Sequence, residues 1–332
     1  MTDPSATPPF TLPDLAVLRT RVTLRLLADA HLPAYKGGML RGGFGYAFQR
    51  AVCPQTCWGA ANQCPFATIC PYRWVFETPH PPGVPHLHDL QDVPRPFVID
   101  PPADRRTSFH AGESLEFGLV IIGRGIDYLP YFLFGFAQLG QMGLGAQRVP
   151  ARLERVEALQ PWQHTGPVIY QDEQVLAERN ALPLLDAAAI AAQARTLPDD
   201  LRIILETPVR VKRGKQYLST LEPDALVRAM CWRLNALTIF HGDGPWSIMY
   251  RPVVEQAQAI RVDEAQVRWE DWGRTSTRGG RTQHMKLGGI VGSARLRGVP
   301  PDVRSVLLAG SLLHVGKACV FGHGAYRLLA ER

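Results

Sequence analysis

The chain has 332 residues, 46% of them hydrophobic and 20% charged, which suggests one or two domains with a sizeable core and argues against wholesale disorder. No run of about 18 apolar residues is present, which argues against a membrane span. The start, MTDPSATPPF, lacks the basic and apolar regions of a secretory signal, so we expect a cytoplasmic protein.

The positive charge is concentrated in the second part of the chain. Residues 201–332 contain 20 Lys/Arg and 11 Asp/Glu, a net charge of +9, whereas residues 1–200 have a net charge of −3. The window 272–298 has six basic residues and no acidic one. A localised basic stripe is typical of a protein that binds a polyanion, although a solvated basic surface gives the same pattern.

The first half is predicted to follow the order β-α-β-β-α-β. Alternating apolar residues predict a strand at 21–27, which a loop at 28–38 follows. Several glycines weaken the helix predicted after this loop, the first of the elements listed next. The further elements in chain order are a helix at 39–51, a cysteine insertion at 53–70, a strand at 72–77, a proline-rich surface loop at 80–102, a strand at 114–122, an apolar helix at 127–142 and a strand at 147–158.

The second half is predicted to repeat this order after a connector at 165–200 with helical potential at 182–195. Its elements are a strand at 201–211, a basic turn at 212–215, a helix at 222–241, strands at 262–271 and 288–296, a helix at 301–313 and a strand at 325–329. This predicts an α+β protein of tandem ferredoxin-like (RRM-like) domains with antiparallel sheets, one at 1–200 and one at 201–332. A glycine loop follows the second helix in both halves, which favours an internal duplication, although glycine commonly ends helices.

Four of the six cysteines lie within 18 residues. Their spacing, Cys53-x3-Cys57-x6-Cys64-x5-Cys70, fits neither a paired zinc ribbon nor the usual ferredoxin run, yet four thiolates so close can surround one Zn²⁺ or one iron–sulfur cluster. Two disulfides or free thiols are the alternatives, and the lack of a secretory signal disfavours disulfides. We expect a structural zinc or iron–sulfur site that staples an insertion too small to have its own core.

A basic stripe and a glycine-rich loop dominate the last sixty residues. The basic residues Arg274, Arg278, Arg281 and Lys286 can neutralise phosphates, and Trp269, Trp272 and Tyr250 offer stacking surfaces or, alternatively, core packing. Downstream, Gly316, Gly322 and Gly324 let the backbone approach a phosphodiester closely. A dinucleotide-binding fingerprint would instead follow a strand and open a helix.

Several motifs together resemble the CRISPR-associated RAMP-superfamily proteins that cut precursor CRISPR RNA. The motifs are Leu40-Arg-Gly-Gly-Phe-Gly45, Cys70-Pro-Tyr72, Asp127-Tyr-Leu-Pro-Tyr-Phe132, Gly143-Leu-Gly-Ala-Gln-Arg148, Ser276-Thr-Arg278, Met285-Lys-Leu-Gly-Gly-Ile-Val-Gly292 and His314-Val-Gly-Lys-Ala-Cys-Val-Phe-Gly-His-Gly324. Their order and spacing cover nearly the whole chain. The departure is Gly279-Gly280, where the family pattern has glutamine or another polar residue.

The resemblance implies an endoribonuclease that needs no metal for catalysis. A ribose 2′-hydroxyl would attack the adjacent phosphorus and leave a 2′,3′-cyclic phosphate and a 5′-hydroxyl. The family's general base often lies between the first strand and the first helix, where this chain has His31, Tyr35 and Lys36. His314 is the rival base and His284 a third candidate.

The resemblance also implies CRISPR repeat RNA as the partner, with possible CRISPR effector subunits and no membrane. The expected RNA-binding residues are Arg41, Arg274, Arg278, Arg281, Lys286, Gly316, Lys317, Gly322 and Gly324. Two alternatives stay open: a non-catalytic RAMP subunit of an effector complex, and an iron–sulfur electron-transfer or sensor protein.

Overall fold

The computed structural model describes residues 10–331 with gaps at 58–63, 65, 67, 85, 86, 88, 89, 91, 177, 248 and 277–282. Across these described segments, no helix combines the length and the apolar character that a membrane crossing needs.

The first half forms a six-stranded antiparallel sheet with helices that pack on it. In the order of the sheet, the strands are β3 (Phe97–Asp100), β5 (Ser114–Ile122), β1 (Val17–Leu26), β6 (Ala151–Ala158), β7 (Val168–Gln171) and β8 (Gln174–Val175). The helices are α1 (Gly37–Val52), α2 (Pro71–Phe76) and α3 (Leu129–Met142). A small separate pair joins β2 (Ala30–His31) to β4 (Ser108–Phe109), and α4 (Ala187–Arg195) leads into the second half.

The second half forms a four-stranded antiparallel sheet. In the order of the sheet, the strands are β12 (Arg261–Glu270), β15 (Gly289–Arg297), β9 (Leu201–Val209) and β16 (Tyr326–Ala330). Its helices are α5 (Pro223–His241), α6 (Arg251–Ala257) and α7 (Pro301–Leu313). Two hairpins project from this half: β10 (Lys212–Arg213) pairs with β11 (Gln216–Tyr217), and β13 (Gly273–Ser276) pairs with β14 (Gln283–Lys286).

Both sheets place their main strands in the same spatial order. The main strands are β1, β3, β5 and β6 in the first half and β9, β12, β15 and β16 in the second. Numbered 1 to 4 along the chain, they lie in the sheet order 2-3-1-4 in both halves. The chain is therefore an α+β protein with two antiparallel sheet domains, as predicted.

The hydrophobic core of the first half is rich in aromatic residues. Phe44 on α1 stacks on Phe136 of α3 at a centroid distance of 4.2 Å, and both lie among Phe48, Phe97 and Phe132. The core of the second half extends into the first, because Val98, Val120 and other first-half residues belong to it. The two halves thus share buried apolar surface, which fixes the seam between them.

Two predicted elements of the first half were wrong. Residues 72–77, predicted as a strand, form helix α2, which begins at Pro71, where proline's fixed φ suits a first helical position. The second main strand is instead β3, inside the predicted surface loop, and three of its four residues are buried.

Candidate active site

The seam between the halves forms where the loop before α1 meets the glycine-rich segment 314–325. The Tyr35 hydroxyl donates a hydrogen bond of 2.6 Å to the carbonyl oxygen of Phe321. A Cβ added at Gly37 would lie 2.0 Å from that same oxygen, so the first turn of α1 abuts the segment. Burial raises the pKa of Tyr35 above its usual range, and Asp100 adds to this, so the phenol remains a proton donor.

The three predicted glycines have positive φ angles, +88° at Gly316, +86° at Gly322 and +77° at Gly324. A Cβ would lie 2.5 Å from the oxygen of Arg210 at the first, 2.3 Å from Pro101 Cδ at the second and 2.0 Å from the oxygen of Val315 at the third. Glycine is therefore required here for protein-on-protein packing. At each of the three positions, the direction in which a Cβ would point is occupied by other atoms of the chain.

His31 lies at the surface on β2, whose backbone pairs with β4 at Ser108. Its imidazole is exposed and so accessible to a substrate.

Lys36 is fully buried, in contrast to His31. Its ammonium donates to the carbonyl oxygen of Arg106 at 2.7 Å and to both the carbonyl and a carboxylate oxygen of Asp104, at 3.4 and 3.3 Å. In this geometry Lys36 anchors the loop before β4, which satisfies a buried charge.

His314 is buried at the start of the glycine segment, just after α7. Its Nδ1 lies 3.1 Å from the carbonyl oxygen of His323 and donates to it, which ties the two ends of the segment together. Burial lowers the pKa of His314 to about 4, so the ring is neutral at neutral pH.

Arg41 is partly buried, and its guanidinium packs against aromatic rings at the seam. Its guanidinium carbon lies 4.7 Å from the ring centroid of Phe76, 5.6 Å from that of Phe97 and 5.7 Å from that of Phe321. These cation–π contacts link α1 to β3 and to the glycine segment.

The predicted basic loop forms a hairpin in part. Its backbone pairs Arg274 with Met285 and Gly273 with Lys286. Arg278 and Arg281 lie outside the described residues, as do the side chains of Arg274, His284 and Lys286.

Sequence reasoning missed a cluster of cations around Tyr217. The Arg210 guanidinium carbon lies 3.9 Å from the ring centroid of Tyr217, and the Lys212 ammonium lies 4.9 Å from it. Burial alone would raise the pKa of Tyr217, but the Arg210 hydrogen bond and the charges of Lys212 and Lys317 lower it overall. Arg213 in the same turn forms ion pairs with Glu222 and Asp224, whereas none is found for Arg210, Lys212 or Lys317 within the described residues. The available signal was the basic turn at 212–215.

Sequence reasoning also missed His323, which lies between Gly322 and Gly324. The imidazole is completely buried, 5.3 Å from the ring centroid of Tyr35 and 4.3 Å from that of Trp272. Neither ring nitrogen has a hydrogen-bond partner among the described residues. Trp272, predicted as a stacking surface, therefore packs in the seam, whereas Trp269 is partly exposed.

Two family models match separate parts of this chain. Residues 203–326 match the family model described as CRISPR-associated endoribonuclease Cas6, and residues 12–181 match the model AF_1859_N, described as an N-terminal domain.

Residues 203–326 are therefore a Cas6 domain, the domain of CRISPR-associated endoribonucleases.

The chain is similar to one curated protein in sequence and to solved Cas6 structures in fold. An uncharacterized protein of Archaeoglobus fulgidus is 24% identical over 312 residues, which cover 93% of this chain and 97% of that relative. Thermus thermophilus Cas6 in a product complex is 16% identical with a TM-score of 0.54, covering 94% of this chain and all of that one. A partial Cas6-RT-Cas1–Cas2 complex is 16% identical with a TM-score of 0.57, covering 97% of this chain and 47% of that one.

The clustered cysteines of the first half approach each other in pairs. The sulfur atoms of Cys57 and Cys64 are 3.5 Å apart, and burial together with the neighbouring Cys70 thiol raises the pKa of Cys53 to about 12. No disulfide bond joins two cysteines among the described residues. Where the structure describes the chain, no three potential ligands converge on one point, so the arrangement does not by itself form the expected four-ligand site.

Proposed function

We propose that this protein cuts CRISPR repeat RNA in precursor transcripts without a metal ion, through attack of a ribose 2′-hydroxyl on the adjacent phosphorus. The products would be a 2′,3′-cyclic phosphate and a 5′-hydroxyl. The Cas6 domain supports the substrate class. The Tyr35–Phe321 hydrogen bond supports an active site at the seam between the two halves, because it joins the loop of the predicted base to the glycine-rich segment.

The proposed reaction needs positioning, a base and support for negative charge on the phosphorane. His31 is the proposed base, since it is exposed and lies four residues before Tyr35 in the same loop. His314 is a weaker candidate because its Nδ1 already donates to the chain. Lys36 and Tyr35 hold the loops of the site in place in this proposal.

The RNA would bind along the second domain. The cations Arg210, Lys212 and Lys317 surround one phenol, and cations beside an aromatic ring suit phosphates and an unpaired base. The hairpin β13–β14, with Arg274 and Lys286 on it and Arg278 and Arg281 in its sequence, would extend this surface. Gly316, Gly322 and Gly324 serve the site by holding the segment tightly, and Arg41 serves it by bracing the seam.

The finer architecture is part of the proposal. We place a ferredoxin-like domain at 1–200 and a second at 201–332, with the glycine-rich segment at the seam on the RNA-facing side. CRISPR effector subunits are proposed partners, and the cytoplasm, where the transcripts are made, is the proposed location.

For the four cysteines we propose a structural zinc ion or iron–sulfur cluster that Cys53, Cys57, Cys64 and Cys70 bind together. Thiolates are the donors that both prefer, and the short Cys57–Cys64 separation supports a shared ligand. Elemental analysis of the purified protein, with Cys57→Ser and Cys64→Ser as variants, tests this. Wild-type protein without zinc or iron would contradict it.

The catalytic assignment is tested with His31→Ala on a synthetic repeat RNA. We expect single-turnover cleavage to fall by about 10²-fold or more, the scale of a lost acid–base group, while the Kd for RNA is retained. The control is His164→Ala, an exposed histidine in the loop before β7. Unchanged cleavage by His31→Ala would remove this residue from the reaction.

A further inference from the structure

His323 combines three properties that a structural residue does not need. It is fully buried, it has no hydrogen-bond partner on either ring nitrogen among the described residues, and it lies on the seam where the loop of the proposed base meets the glycine segment. Buried polar atoms are almost always paired, and one left unpaired is destabilising. A buried imidazole without partners is thus expected to gain one in another state of the protein.

The chemistry of the ring defines that partner. Burial, together with His314 and Arg210, lowers the pKa of His323 to about 4, so the imidazole is neutral and presents one N–H donor and one acceptor. A ribose phosphate unit presents the complementary groups, since its phosphoryl oxygens accept and its 2′-hydroxyl donates.

The surrounding backbone holds His323 in a fixed position. Gly322 packs under Pro101 and Gly324 over Val315, and the His323 carbonyl accepts from His314. On the side of the hairpin the indole of Trp272, immediately before β13, lies against the imidazole. An RNA bound on the hairpin would therefore lie next to this indole.

We propose that His323 is a catalytic residue: bound RNA displaces the Trp272 indole, and the imidazole N–H then donates to a non-bridging oxygen of the scissile phosphate. This proposal rests on the proposed function, and it adds the His323 imidazole to the proposed base His31 as a second catalytic group. A fixed donor in a water-excluded site stabilises charge that develops in the transition state.

The step balances without a further reactant. The 2′-oxygen bonds to phosphorus and its proton passes to the base, while the bond from phosphorus to the 5′-oxygen breaks and that oxygen takes a proton from water. The protonated base then returns its proton to water. The His323 N–H is donated as a hydrogen bond throughout and is not transferred.

The test compares wild type, His323→Ala, His323→Gln and the surface control His164→Ala, all in EDTA. Cleavage is measured under single-turnover conditions, and the Kd is measured with RNA that carries a 2′-deoxy nucleotide at the cleavage position. We expect His323→Ala to cut about 10²–10³-fold more slowly with its Kd within threefold of wild type, as for a lost oxyanion donor. His323→Gln, which keeps an N–H donor, should recover part of the rate.

A sulfur substitution supplies a readout that a structural role would not move. With one phosphorothioate diastereomer at the scissile phosphate, wild type should slow, because sulfur is a weaker acceptor, and His323→Ala should slow much less. His323→Ala that cuts within threefold of wild type, or that loses rate and affinity in parallel, overturns the proposal. Wild type that does not cut refutes the proposed function itself, so the two failures are distinguishable.

Discussion

Gly322→Ala tests how tightly the glycine segment is built into the seam. The φ of +86° costs an L-residue about 1–2 kcal/mol, and the new Cβ would lie 2.3 Å from Pro101 Cδ and 2.9 Å from the oxygen of Ile99. Overpacking of this kind costs about 1–3 kcal/mol more. We expect the free energy of unfolding to fall by about 2–5 kcal/mol in total, and RNA cleavage to fall because Phe321 and His323 move with the segment.

Gly214→Ala is the matched control. Gly214 has φ +61° in the β10–β11 turn, but a Cβ there has no atom within 4 Å, so only the backbone cost of about 1–2 kcal/mol applies. The difference between the two variants, measured by thermal or urea unfolding, isolates the packing contribution. Equal destabilisation by Gly322→Ala and Gly214→Ala would refute the reasoning that the segment is packed directly on the first domain.

Three further predictions follow from single contacts. In the folded protein the pKa of both His241 and His314 is lowered from 6.5 to about 4. The free energy of unfolding should therefore be constant above about pH 6.5 and fall towards pH 4, by up to about 1.4 kcal/mol per pH unit for each histidine. Urea unfolding between pH 7 and pH 4.5 measures this, and a flat profile contradicts it. Tyr35→Phe removes the hydroxyl that donates to the Phe321 carbonyl and should destabilise the protein by about 1–2 kcal/mol in thermal unfolding. Tyr46→Phe, at an exposed side chain, is the control and should not destabilise it. Equal effects of the two variants would show that the hydrogen bond contributes nothing. Lys317→Ala should weaken RNA binding and reduce the slope of log Kd against log salt concentration by about 1. Arg155→Ala, on the first domain, is the control and should leave the slope unchanged. An unaltered slope for Lys317→Ala would show that Lys317 does not contact the RNA.

Most of the helices and strands of this chain could be predicted because their signals are local. Residues 114–122 and 301–313 were predicted with the bounds that the structure has, since an apolar run or helical period lies between clear breakers. Strand β3 was missed because only four residues stand among prolines, and its identity as a strand depends on pairing with β5.

The sequence indicates that the glycine-rich segment lies at the seam, but the individual contacts there could not be predicted because they join residues that are distant in the chain. His323 in a Gly-His-Gly sequence is typical of an exposed loop, and its burial depends on Tyr35 and Trp272, 288 and 51 positions away. Likewise, the loop position of Lys36 gave no sign that carbonyl oxygens some seventy residues later would enclose its ammonium. The motifs led to the right region of the molecule, and long-range packing decides what each side chain does there.

The most direct test of the central claim is incubation of the purified protein with its repeat RNA in EDTA, followed by end-group analysis of the products. We predict cleavage at one position, with a 2′,3′-cyclic phosphate on one fragment and a 5′-hydroxyl on the other. RNA that is bound but left intact would contradict the claim, and so would cleavage that stops when EDTA is added or that leaves a 3′-hydroxyl.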